Sequence, residues 1–199
     1  MSNLTLAVFF DRDGVINQMV YHPDFGLVDS PSNPDEFILL PGVSRVVRAI
    51  NEMGLLAIVI SNQPGIAKGK FTEKLLEAMT DKMHRELASG GAKLDAVYYC
   101  LHHPEANVLK YKAHCDCRKP KPGLILQAAQ EWKIDLKRSF FIGDGITDVL
   151  AGQAAGTQTI LISSRKPYLY EALSEHEAKP SHVVASLGEA VKLIQEGMQ

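Results

Sequence analysis

Apolar positions along this chain fall into two alternating patterns. Short runs made mostly of apolar or β-branched residues lie at 6–10, 55–60, 96–99, 139–142 and 159–162, with a shorter one at 182–184. Runs of four to six such residues read as strands buried on both faces. Between them the apolar residues space out at helical intervals. Val43, Val46, Val47 and Ile50 share one face of a helix opened by Pro41-Gly42 and stopped by Gly54. Thr72 caps a second, with Leu75, Leu76 and Met79, which runs to about Ala88 before Gly90-Gly91. Further helices are predicted over 124–132, 146–155, 167–177 and 187–196. Strands alternating with helices predict an α/β fold, one domain over residues 1–199, with a mostly parallel central sheet covered on both faces.

The strands end unusually. Asp11, Ser61, Cys100 and Asp144 each stand at or just past the carboxyl end of a different predicted strand. In such sheets ligands sit at that rim, so four separate polar endings would converge on one site. Asp11-Arg12-Asp13-Gly14 is the densest of them. Two carboxylates one residue apart beside a buried strand are costly to desolvate without a positive partner. A hard divalent cation with oxygen ligands, most simply magnesium, supplies that charge. Residues 16–41, with Pro23, Pro31, Pro34 and Pro41, read as an ordered loop or flap over the rim. Between Asp13 and Ser61 there is room for this flap, one helix and one strand, but not for a separate cap domain.

All three cysteines fall within eighteen residues. Cys100-x-His102 and Cys115-x-Cys117 offer four soft or borderline ligands, the set for tetrahedral zinc. His103 and His114 are adjacent alternatives; strand alternation favours His102, on the same side as Cys100. Four protein ligands close the site, so the ion would be structural. It would pin the loop 100–118, which shows no core of its own, and deliver Arg118 and Lys119 to the rim. Three cysteines argue against a disulfide framework and for the reducing cytoplasm. A formal net charge of −2 gives no broad basic surface, which excludes nucleic acid as the expected partner. No apolar run approaches a membrane span. Without heptads or an obvious apolar face, the expected state is a monomer.

Phe-Asp-Arg-Asp-Gly-Val at 10–15, Ser61 in Val-Ile-Ser-Asn-Gln, Lys119 in Cys-Arg-Lys-Pro and Gly-Asp-Gly-Ile-Thr-Asp at 143–148 resemble, in order, the four motifs of the haloacid dehalogenase superfamily. The resemblance implies a Rossmann-like three-layer sandwich. It also implies a phosphotransfer site with Asp11 as nucleophile, Asp13 as general acid and base, and Ser61 and Lys119 on the phosphoryl group. Magnesium would be held by Asp11, the Asp13 backbone carbonyl and Asp144, while Asp148 would orient Lys119 or a metal-bound water. The zinc loop further resembles the D-glycero-D-manno-heptose 1,7-bisphosphate 7-phosphatases. Twelve residues separate His102 from Cys115, and the related histidinol-phosphate phosphatases have a much shorter loop. That implies a small sugar bisphosphate as substrate, with Asn62, Gln63 and Arg118 on the sugar or second phosphate. Where the family usually has lysine after Gly-Asp, this chain has Gly145. Histidinol-phosphate or broad phosphosugar hydrolysis, and a zinc-stabilised sugar-phosphate-binding protein without activity, stand as alternatives.

Overall fold

The computed structural model describes residues 4–163 and 169–198. Its element order is β1 (Ala7–Phe10), β2 (Val20–His22), β3 (Leu27–Asp29), α1 (Val43–Glu52), β4 (Leu56–Asn62), α2 (Pro64–Ala67), α3 (Glu73–Ser89) and β5 (Ala96–Cys100). It continues with α4 (Gly123–Trp132), β6 (Phe140–Gly143), α5 (Ile146–Ala155), β7 (Gln158–Ile162), α6 (Leu169–Glu175), β8 (His182–Val184) and α7 (Leu187–Gly197). Six strands form one sheet in the order β5-β4-β1-β6-β7-β8, every neighbouring pair parallel.

Strand alternation sorts the apolar runs to two faces. Val8 and Phe10, with Ala57 and Val59, face the layer that holds Val46, Val47 and Ile50 of α1, Met79 and Met83 of α3, and Ile194 of α7. Ala7 and Phe9, with Ile58 and Ile60, face Leu124, Ile125 and Ala128 of α4 and Ala151 of α5. β1 is therefore buried on both sides, each large side chain contributing about 1.5–3 kcal/mol by leaving water. From β1 the chain runs outward through β4 to β5, then returns to add β6 on the other side of β1. The connections diverge at that point and open a crevice at the carboxyl ends of β1, β4 and β6.

The ordered loop or flap expected over 16–41 contains a strand pair that the sequence pattern did not place. β2 and β3 pair as an antiparallel hairpin, Tyr21 opposite Val28, turning at Gly26 with φ 62°. Tyr21, Phe25, Leu27 and Val28 are all exposed, so these β-prone residues form a ladder without a core-facing alternation to announce it. The flap's base is fixed by buried Phe37, by hydrogen bonds from Gln18 N to Ile38 O and Leu40 N to Ile16 O, and by Lys82 Nζ on Pro34 O. Lys70 pairs with Asp29 at the hairpin's end. The helix expected over 167–177 is seen over Leu169–Glu175; positions 167 and 168 lie outside the described residues. No described helix is long and apolar enough to cross a membrane.

Candidate active site

Asp11 leaves β1 where the strand pairing ends, its N–H bonded to Ile142 O at 2.9 Å. The turn that follows needs Gly14 at φ 86°. A Cβ there would also lie 2.4 Å from Asp144 Oδ2, so a glycine is what lets β1's loop and β6's end approach. Across the crevice, Lys119 Nζ lies 2.8 Å from Asp11 Oδ1 and 2.7 Å from Asp148 Oδ1, and donates to Ile60 O at 3.0 Å. Burial works against this ammonium, but Asp11 and then Asp148 outweigh it and hold Lys119 above the ordinary lysine range. Burial raises the Asp11 carboxyl, Asp148 adds repulsion, and the attraction of Lys119 only partly compensates, leaving it pushed up to about 6.

Asp148 is fixed by its place in the first turn of α5, where its Oδ2 accepts from Gly145 N at 3.0 Å. Gly143 leaves room for it: a Cβ on Gly143 would sit 2.2 Å from Asp148 Cβ. One oxygen each from Asp11, Asp144 and Asp148 lies within 4.8 Å of the others. Three carboxylates around one buried ammonium leave negative charge in excess, which suits a divalent cation with oxygen ligands. A cavity of about 320 Å³ opens here, lined by these groups, Asp13, Ser61 and Asn62, and by Met19, Val28 and Ser30 of the flap.

Asp13 sits in a cage of donors. Fully buried Arg12 gives Nε and Nη2 to Asp13 Oδ1 at 3.1 and 2.9 Å, and Asn17 Nδ2 reaches the same oxygen at 2.9 Å. The Arg12 guanidinium in turn lies 5.6 Å from the Tyr99 ring centre and 5.9 Å from that of Phe37.

Two residues expected to touch substrate do other work here. Gln63 is 1% exposed, and its Nε2 donates to Asp13 Oδ2 at 2.7 Å and Ser61 Oγ at 3.1 Å. Asn62 lines the cavity, but both ends of its amide hold the Lys119 backbone: Nδ2 donates to Lys119 O at 3.1 Å and Oδ1 accepts from Lys119 N at 3.0 Å. The alternation of β4 explains this, sending Ser61 and Asn62 in opposite directions and turning Gln63 inward. Arg118 is half-buried, with Nη1 buried and lacking a hydrogen-bond partner.

The second constellation assembles as spaced. Ligand atoms of Cys100, His102, Cys115 and Cys117 lie within 4.8 Å of one another, with Cys117 Sγ 3.1 and 3.2 Å from the other two sulfurs and 3.4 Å from His102 Nδ1. His103 turns away, its Nδ1 accepting from Glu105 N, and His114 is exposed. Burial pushes the Cys100 thiol up, and neighbouring Cys117 pushes it further. Three sulfurs and one imidazole nitrogen form a closed set that could hold a metal. The loop between the pairs has anchors that its sequence does not advertise. Ala106 and Tyr111 are buried in the core, and Asn107 N and Val108 N both donate to Ala67 O.

The HAD-hydrolase-like family model matches residues 116–190. The chain is 38% identical over 196 residues to a D-glycero-β-D-manno-heptose-1,7-bisphosphate 7-phosphatase of Yersinia pestis, covering 98% of each. A protein of the same name from Vibrio cholerae is 42% identical over 162 residues, 81% of this chain and 83% of that one. Among solved structures, a D,D-heptose 1,7-bisphosphate phosphatase from B. bronchiseptica, complexed with magnesium and phosphate, is similar with a TM-score of 0.79. It is 30% identical and covers 96% of this chain and 99% of its own.

Proposed function

The chain belongs to the haloacid dehalogenase-like phosphatases, in their heptose bisphosphate branch, and on that premise we propose that it removes the 7-phosphate of D-glycero-β-D-manno-heptose 1,7-bisphosphate. The observation that carries this reading is the buried triangle of Asp11, Lys119 and Asp148 at the base of a cavity that also presents Ser61 and Asp13. Asp11 attacks phosphorus; the new P–O bond forms as the bond to the sugar oxygen breaks, and Asp13 gives that oxygen its proton. Water, losing a proton to Asp13, then releases phosphate from the aspartyl ester and restores Asp11. Ser61 donates to a phosphoryl oxygen, and Lys119 balances charge on Asp11 and the transferring group.

Asp11, Asp144 and the Asp13 carbonyl are the proposed magnesium ligands; the ion supplies charge neutralisation at the phosphoryl oxygens when bound. Cys100, His102, Cys115 and Cys117 are proposed to hold structural zinc, and three unpaired cysteines suit a reducing, cytoplasmic setting. Arg118 remains the proposed contact for the second phosphate, its planar fork matched to two oxygens. Asn62 bonds the Lys119 backbone while lining the cavity, and Gln63 bonds Asp13 and Ser61.

Magnesium-dependent phosphate release from the two anomers of the heptose bisphosphate, with histidinol phosphate alongside, tests the substrate. Selective loss of the 7-phosphate from the β-anomer is expected; a clear preference for histidinol phosphate would overturn the reading. Protons and magnesium compete for Asp11, whose carboxyl is pushed up to about 6 by burial and the charge of Asp148. The rise in melting temperature that magnesium gives at pH 7 is therefore expected to shrink markedly by about pH 5. A rise equal at both values would contradict Asp11 as a ligand.

A further inference from the structure

We propose that Gln63 is a positioning residue for the reaction, one amide group setting both the Ser61 hydroxyl and the Asp13 carboxylate. The inference rests on the phosphatase reading above and extends it to a side chain that touches no substrate. Gln63 follows β4 directly and is held at its backbone by a 2.8 Å hydrogen bond from its N–H to Cys100 O. That bond fixes where the side chain starts, at the junction of β4 and β5.

Its Nε2 carries two hydrogens, and each has an acceptor: Asp13 Oδ2 at 2.7 Å and Ser61 Oγ at 3.1 Å. With one lone pair of Ser61 Oγ engaged by Gln63, the hydroxyl's own hydrogen is left to donate into the cavity that Ser61 lines. On the other side, Gln63 differs in kind from the remaining donors to Asp13. Arg12 and Asn17 belong to the same turn as Asp13 and move with it. Gln63 comes from β4's end, fifty positions along the chain, and among the described residues it ties the acid-base group to the element carrying Ser61. The β1–β4 ladder sets the distance between the two elements, and this amide fixes the two side chains across it.

Burial argues that the amide is there for this purpose. Gln63 is 1% exposed and its Oε1 is buried without a hydrogen-bond partner. A leucine or methionine would fill the same space without an unsatisfied oxygen, so packing alone disfavours glutamine. What an apolar side chain cannot do is donate to Ser61 and Asp13 at once.

The test uses the dependence of rate on leaving group. A sugar alkoxide needs the proton that Asp13 delivers; p-nitrophenolate leaves without one. Because kcat/KM covers only the steps through the first phosphoryl transfer, it isolates that need from the later hydrolysis. Gln63→Leu is expected to lower kcat/KM for the heptose bisphosphate by about 30- to 100-fold, within the range for general acid catalysis. For p-nitrophenyl phosphate the fall is expected to be several-fold only, reflecting Ser61. Both substrates are measured on one preparation, so the ratio does not depend on the fraction of folded protein. Asp13→Asn serves as the reference and should show the same split. Equal falls for the two substrates in Gln63→Leu, with the split intact in Asp13→Asn, overturn the positioning role and leave the phosphatase reading standing. No split in Asp13→Asn overturns the acid-base assignment itself.

Discussion

Asp11→Asn is expected to lower turnover by about 10⁴-fold or more while making the metal-free protein more stable at pH 7. The first effect follows from chemistry: an amide cannot form the phosphoryl ester that the proposed sequence passes through. The second follows from the charges around Lys119. Asp11 and Asp148 both lean on one buried ammonium, at 2.8 and 2.7 Å, and Asp144 adds a third carboxylate nearby. Burial and the repulsion of Asp148 raise Asp11 to about 6 in the folded protein, against 3.8 for a free aspartate side chain. A raised folded-state value means that the proton binds the folded chain more tightly. Stability from this group is therefore fully present below about pH 4 and is lost as pH rises through about 6. At pH 7 the ionised carboxylate opposes folding by something of the order of 2–3 kcal/mol. Asparagine keeps the shape and removes that charge, while Asp148 still neutralises Lys119. Thermal melts without added metal should place the variant several degrees above the parent at pH 7, with the gap closing toward pH 4. A destabilised variant at pH 7, or appreciable phosphate release, would refute this account of Asp11. Activity and stability are in opposition at this residue, as expected where a carboxylate is held beside others to do chemistry.

The site's framework was legible because it is written in strand endings. Asp11, Ser61, Cys100 and Asp144 interrupt apolar runs too short for helices, and a parallel sheet brings such endings to one rim. The metal-ligand cluster was legible for a related reason: ligand types at i, i+2 in two places share a face in extended chain. Sequence could not show which polar residues face the substrate. Asn62 and Gln63 sit beside Ser61 and have the chemistry to contact a sugar, yet one secures the Lys119 backbone and the other reaches Asp13. Their direction depends on where β4 stops pairing: it continues to Asn62, opposite Cys100, beyond its apolar run. The hairpin of Val20–His22 and Leu27–Asp29 was hidden because both its faces carry exposed residues, Pro23 stands in its turn and Pro31 follows it. Neither period-2 alternation nor a buried run marks it. The anchors of the loop between the cysteine pairs were hidden too, since Ala106 and Tyr111 are single residues whose burial depends on α2 and α3 being beside them.

Those anchors shape the expected result of removing the proposed zinc. Cys115→Ser with Cys117→Ser, or treatment with a strong chelator, should release about one zinc per chain and lower stability by several kcal/mol, a fall of ten degrees or more in melting temperature. The loop should not unravel evenly. Its middle is tied to α2 by Asn107 and Val108 on Ala67 O, and to α3 by Lys110 and Tyr111 on Glu73. Its two ends, 100–102 and 113–118, have the four ligand side chains as their main connection to each other. Hydrogen exchange should therefore speed up at both ends and remain slow around 106–111. The second end runs directly into Lys119, whose ammonium must stay within hydrogen-bond reach of Asp11, Asp148 and Ile60 O. The Asn62 amide still grips the Lys119 backbone from the other side, so Lys119 is loosened rather than lost. Turnover is expected to fall by about 10- to 100-fold, since misplacement by about 1 Å is enough for that. Adding zinc back to chelated parent protein should restore it, while the double variant should not respond. Zinc-free protein with full activity and slow exchange at 113–118 would show that the loop's other anchors suffice. The ion's contribution, on this view, is geometric: it joins the end of β5 to the segment carrying Lys119, and so links Cys100, on the sheet, to the charge that faces the nucleophile.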